Sequence, residues 1–252
     1  MRSAIFISAL ALALCVQPAL AQTAIVYIQA GDNLRAKFDN KGALEQYRKA
    51  LEQNPESVVA QTRLSQALVD NGEDLDSKES EKYYTEAMNV AKQVVEGNPS
   101  LGEGHYLLAL ATGKLALFRG GKEKVRLSRE VEQSGVKALG LDPKHSRGHI
   151  LMGVYYREIA NLNWALKMFA NTFFGGLPKG TNEDAILELN KALELDPTSI
   201  RAWFELGKTH EVMGDDEAAA KEYRSAINLP LTDHLDARFI AESKLGLQRV
   251  GE

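Results

Sequence analysis

The chain has five histidines, at 105, 145, 149, 210 and 234, and only His145 and His149 carry the four-residue spacing that sets two imidazoles on one helix face. Two imidazoles can begin a zinc site, but the chemistry needs further Cys, His or carboxylate ligands at fitting spacing. No cysteine stands nearby and no His-Glu-x-x-His pattern occurs, so both histidines are expected to be solvated or to cap helices. The segment Gly175-Gly176-Leu177-Pro178-Lys179-Gly180-Thr181 holds the glycines and lysine of a phosphate loop in the wrong order, since Lys179 precedes Gly180 and no strand leads into it. It is expected to be a helix break. There is no Gly-x-Ser-x-Gly elbow and no dinucleotide fingerprint, so the sequence offers no catalytic set, no cofactor site and no metal site. A non-enzymatic protein is the expectation.

Binding chemistry remains. Counting along the chain from the proline that precedes each helical hairpin places Arg147, Arg157, Arg201 and Lys208 on inward-facing positions, beside Tyr106, Ile150, Val154 and Phe204. Glu103, Leu110 and Glu211 fall on the same face. Guanidinium groups grip carboxylates or phosphates bidentately, and the apolar side chains would take an apolar body, so an amphipathic partner with an anionic end fits. Residues this far apart can act together only if successive helices bring them to one surface.

A repeat in the sequence supplies such helices. KALEQNP (49–55), QVVEGNP (93–99), KALGLDP (137–143) and KALELDP (191–197) each end in Asn/Asp-Pro, and RSAINLP (224–230) is a looser copy. Proline disfavours helical geometry in its predecessor, so each copy ends a helix, and the proline is expected to open the next. Twelve residues before the four matched prolines stand Ala43, Ala87, Val131 and Ala185, slim side chains suited to close helix crossing. After Pro197, the residues Trp203, Leu206, Gly207, His210, Gly214, Ala219, Tyr223 and Ala226 follow tetratricopeptide spacing, with His210 where an aromatic is usual. Trp203 and Ala219 are expected in the packed interface of that hairpin.

The prolines lie 44, 44 and 54 residues apart, beyond the ~34 of that repeat class, so the repeats carry insertions. One is a polar connector after Asn71-Gly72; a second lengthens the helix that ends before Gly120-Gly121. In a third, the helix after Pro143 is expected to run on through NLNWALKMFANTFF to Gly175, carrying Tyr155, Tyr156, Trp164, Phe169, Phe173 and Phe174 as core or as the wall of an apolar pocket. Thr181 and Asp184 read as an approximate capping box. The expected fold is all-α, a tetratricopeptide-repeat α-solenoid of about five helical hairpins, with repeats near 24–57, 58–101, 102–145, 146–199 and 200–231 and a capping helix over 232–250.

The 30 Lys and Arg against 34 Asp and Glu leave a net charge of −4, which gives no general attraction to nucleic acid. Residues 1–21 read as a cleavable signal peptide: a basic start at Arg2, an apolar run from Ile5 to Val16 and Ala19-Leu20-Ala21 before Gln22. A periplasmic or secreted protein is expected, with no membrane span after cleavage. Cys15, the single cysteine, lies inside that run.

The stretch GHILMGVYYREIANLNWALKMFANTFFGGLPKGTNEDAILELNKALELDP (148–197), the following LGKTHEVMGDDEAAAKEYRSAINLPLTDHLDA and the upstream GGKEKVRLSREVEQSGVKALGLDP resemble the regulator of microtubule dynamics family over roughly residues 80–250. The resemblance implies a tetratricopeptide-like protein of a membrane-bounded compartment, in a family described as microtubule-associated with members linked to organelle contacts and lipid handling. It brings no catalytic residues. Two functions are therefore expected to compete: a scaffold for a protein or peptide partner, and a carrier of a lipid or other apolar anion held between the groove and the aromatic insertion.

Overall fold

The computed structural model describes residues 22–75, 78–177 and 179–251, and every regular element among them is a helix. The expected signal peptide lies outside the described residues. The chain divides into two compact units, the first reaching Asn98 and the second running from Pro99.

The first unit holds α1 (22–35), α2 (Asn40–Gln53), α3 (Val58–Glu73) and α4 (Glu79–Gly97). Tyr47 of α2 is fully buried and donates its hydroxyl to Asp32 at 2.7 Å, which fastens α2 to α1. Arg35 bonds Asp70 and Arg63 bonds Asp32, both at 2.9 Å, and so bridge α1 to α3.

The second unit holds α5 (Gly102–Arg119), α6 (Gly121–Leu141), α7 (Ser146–Ala160), α8 (Trp164–Phe174), α9 (Asn182–Leu195), α10 (Ile200–Met213), α11 (Asp216–Ile227) and α12 (Asp236–Arg249). Helices pair as antiparallel hairpins, α5 with α6, α7 with α9 and α10 with α11, and α12 packs on both members of the last. Ala43, Ala87, Val131 and Ala185 are all buried at the crossings, where a larger side chain would push the axes apart.

The prolines precede the helices they were expected to open, by three residues at Val58, Ser146 and Ile200. Each lies in the turn between two helices, and the N-cap falls two residues later: Ser57, His145 and Ser199 accept hydrogen bonds from Ala60, Gly148 and Ala202 N–H groups. Proline thus ends one helix by restricting its Asn or Asp predecessor, and the cap begins the next. At the predicted capping box, Thr181 accepts from the Asp184 N–H while the Asp184 carboxylate accepts from the Thr181 N–H.

The helix after Pro143 does not run through to Gly175. It stops at Ala160, and α8 starts anew at Trp164. Two asparagines make the break: Asn161 gives its amide hydrogens to Arg157 O and Asn182 Oδ1, and Asn163 caps α8 by accepting from Leu166 N–H. Asparagine competes for backbone hydrogen bonds and so favours caps over helix interiors. The connector after α3 is also shorter than expected, since α3 continues past Gly72 to Glu73.

Candidate functional site

The face presented by α5, α7 and α10 contains two adjoining cavities in the second unit. The first, about 170 Å³, is lined by α5, α6, α7 and α10, with Leu110, Leu117, Leu151, Val154 and Ile159 as apolar walls and Lys114, Lys124, Arg157, Arg201 and Lys208 as cations. The second, about 210 Å³, lies between Tyr106, Arg147, Ile150, Arg201, Leu235 and Phe239. Leu110, Leu151 and Arg201 line both, so the two form one groove. Helical periodicity explains the assembly: Tyr106, Leu110 and Lys114 stand four apart on α5, and Arg201, Glu205 and Lys208 share one face of α10.

Of the eight residues singled out by position, seven line this groove: Tyr106, Arg147 and Ile150 the second cavity, Val154, Arg157 and Lys208 the first, and Arg201 both. Phe204 does not. It turns into the core under α12, with ring centroids 5.3 Å from Phe239 and 6.2 Å from Tyr223. Position counting missed Lys114, Lys124 and Glu205; Lys114 could have been found by carrying the i, i+4 series one turn beyond Leu110.

The cations of the groove are not equivalent. Arg157 is buried and committed to α10: its guanidinium donates to Glu205 Oε2 at 2.7 Å, to Glu205 O at 3.0 Å and to Thr209 Oγ1 at 3.3 Å. Burial would protonate Glu205, but Arg157, then Arg201 and Lys208, outweigh it and hold the carboxyl below the usual range. Arg157 is therefore a wall of the groove and a clamp between helices. Arg147 lies nearer solvent, 3.0 Å from Glu103 and stacked 5.0 Å from the Tyr106 ring centroid. Lys208 is exposed, 6.0 Å over the Phe204 ring. The buried Tyr155 hydroxyl has no hydrogen-bond partner among the described residues, and burial pushes its ionisation far up.

The aromatic insertion divides. Tyr155 reaches the cavity, Phe169 and Phe174 pack with Ala170 against the core formed by Val125, Val131, Met152 and Ile159, and Trp164 and Phe173 face solvent. No α8 residue lines either cavity, so of the insertion's aromatics Tyr155 is the one that serves as a wall there. Trp203 is half-buried beside Leu206, its indole N–H donating to Pro197 O at 3.0 Å, whereas Ala219 is fully buried.

The two spaced histidines each have a structural partner. His145 Nδ1 accepts from the Gly148 N–H, which leaves Nε2–H to donate to Glu103 at 2.6 Å. His149 is buried with Nδ1 at 2.6 Å from Glu188 and Nε2 at 2.9 Å from Pro143 O, an arrangement satisfied by an imidazolium donating from both nitrogens. The Glu188 hydrogen bond raises its pKa above the ordinary histidine value against the opposing effect of burial. A raised folded-state pKa gives stability that is complete below the unfolded value, about 6.5, and is lost as pH rises through the folded one. The melting temperature should therefore fall over that rise in wild type and fall less in His149→Gln. Parallel calorimetric profiles for the two would show that the pair is not linked to folding.

The paired helices and the groove on their inner face define a protein of the tetratricopeptide class. The fold is shared with a solved thermophilic TPR protein of Thermus thermophilus, which is 18% identical, with a TM-score of 0.66 and coverage of 88% of this chain and 99% of that one. The chain belongs to the regulator of microtubule dynamics protein 1-3 family, whose model matches residues 27–250. Among curated relatives it is 27% identical to regulator of microtubule dynamics protein 1 of Bos taurus, over 80% of this chain and 65% of the relative, and 28% identical to protein 3 of Mus musculus, over 70% and 38%. The chain thus spans less than two thirds of these relatives' length.

Proposed function

We propose that this protein is an exported, non-catalytic binding scaffold whose groove in the second unit receives a segment of a protein or peptide partner, an apolar side chain seated in the first cavity and a carboxylate at its rim. The observation that carries this reading is the first cavity itself, which joins apolar walls to cations on helices far apart in sequence. Its volume, about 170 Å³, is close to the ~150 Å³ of an engineered apolar cavity that accepts benzene, so it holds one Leu- or Phe-sized group. A long acyl chain needs more space, which favours the peptide over the lipid carrier. Lys208 at the first cavity and Arg147 in the adjoining second one supply anion contacts along the groove.

The family's name points to microtubule partners, and acidic protein segments are the ligand chemistry this groove fits. The leader expected over residues 1–21 makes an exported partner part of the proposal. The test is selection from a displayed peptide library on the full chain, followed by affinity measurement. Enriched peptides should share one large apolar residue with a neighbouring Asp or Glu, and Arg147→Glu with Lys208→Glu should weaken them at least ten-fold without changing the melt. Peptides that lack an acidic residue, or that bind the double variant as well as wild type, would sink this reading.

A further inference from the structure

A glycine inside a helix weakens it, because glycine loses more chain freedom on folding than any other residue and leaves the backbone open to water. Gly72 of α3, Gly153 of α7 and Gly207 of α10 each have a neighbour that explains them. A Cβ at these positions would stand 2.5 Å from the Tyr84 ring, 2.6 Å from Leu189 Cγ and 2.8 Å from the Tyr223 ring. There the bare backbone is what lets the neighbouring helix approach. Gly113, in the interior of α5, has no such neighbour. An added Cβ would meet only the two Val131 methyls within 4 Å, at 3.9 Å and 4.0 Å, which is ordinary contact. Its φ is not among the positive ones, so neither backbone conformation nor close packing asks for glycine here.

What lies in front of Gly113 is the first cavity. Its neighbours three and four positions away on α5 are Ala109, Leu110, Ala116 and Leu117, and all four line that cavity together with Gly113 itself. Gly113 thus stands at the centre of the α5 wall. Val131, the one residue its Cβ would touch, lines the same cavity from α6. Any side chain at this position would enter the space that Leu151, Val154 and Ile159 border from α7. Glycine here weakens the helix and improves no contact within the protein; what it keeps is room for a guest.

We infer that Gly113 sets the size of the side chain that the groove accepts: it holds the first cavity open to a Phe- or Leu-sized group, and a methyl in its place restricts the guest to smaller ones. The inference rests on the peptide reading of the groove and adds its selectivity. The displayed-library selection, run in parallel on the full chain as wild type, Gly113→Ala and Gly140→Ala, tests it. Gly140, near the end of α6, also has open space beyond its Cβ and lies outside both groove cavities. Each substitution replaces a helix glycine where the methyl fits, so both should raise the melting temperature. Gly113→Ala alone should bind the Phe- and Leu-bearing peptides of the wild type about ten-fold more weakly, the scale of one methylene in an apolar pocket, and should enrich Val or Ala in their place. If Gly113→Ala melts higher and binds those peptides unchanged, the inference fails while the groove reading stands. A lowered melting temperature would overturn it by showing that the fold itself needs the glycine. Equal loss of affinity in Gly140→Ala would overturn it by tracing the effect to helix stiffness and not to the cavity. Wild type that enriches no acidic peptide with a large apolar residue would end the groove reading, and this inference with it.

Discussion

Arg157→Met should destabilise the second unit by about 3–5 kcal/mol, because it leaves the Glu205 carboxylate buried without its main cation. Methionine has a similar reach, so the loss comes from the charge and not from a cavity. Both tryptophans, Trp164 and Trp203, lie in the second unit, so selectively excited tryptophan emission reports its unfolding and not that of the first unit. Two further outcomes separate this cause from a packing defect. With Arg157 gone, burial dominates at Glu205 and raises its pKa, so the penalty should shrink as pH falls and the carboxyl is neutralised. Replacing both partners, as in Arg157→Met with Glu205→Leu, should recover much of the loss, since well-packed apolar groups often match a buried ion pair. A penalty independent of pH and left intact in the double variant would mean that the pair does not hold α7 to α10.

The architecture was legible because its signals are local. Asn/Asp-Pro at the helix ends, slim residues at the crossings and the Thr181 cap each specify a boundary or a face without knowledge of any partner. The groove was legible to the same degree, since angular position on a helix follows from residue count: Tyr106, Arg147, Ile150, Val154, Arg201 and Lys208 converge as periodicity requires. What count could not supply is what covers a position and what pairs with it. Phe204 shares the inward face of α10, but α12 folds over that end of the hairpin and takes the ring into its own core. Position alone makes Arg157 an available cation; Glu205, 48 residues later, neutralises it. The break between α7 and α8 rests on two asparagines whose capping bonds depend on neighbours outside the helix, including Asn182 at the start of α9. The outward aromatics of α8 were indistinguishable in sequence from core residues, because Trp164 and Phe169 have similar composition around them and opposite surroundings in space.

Tyr223→Ala should cost about 3–5 kcal/mol, as large a loss as any single core truncation in this chain. The ring is fully buried between two glycines on different helices. A Cβ added at Gly207 of α10 would stand 2.8 Å from Tyr223 Cδ1, and one added at Gly246 of α12 would overlap the other edge of the ring. Its hydroxyl meets Glu211, whose carboxylate is also held by Arg249 at 2.5 Å and 2.9 Å. One side chain therefore joins α10, α11 and α12. The first unit repeats the device at the same sixteen-residue separation, where a Cβ at Gly31 would stand 2.5 Å from Tyr47 Cε1. The glycines are required for the close approach of the ring, so Gly246→Ala alone should destabilise by about 1–3 kcal/mol through overpacking. In a Tyr223→Ala background the new methyl meets empty space, and Gly246→Ala should then be neutral or favourable. A double-mutant cycle on the second unit's unfolding, followed by tryptophan emission, measures that coupling directly. Strictly additive effects would show that ring and glycine do not meet, and that α12 closes the hairpin by some other contact.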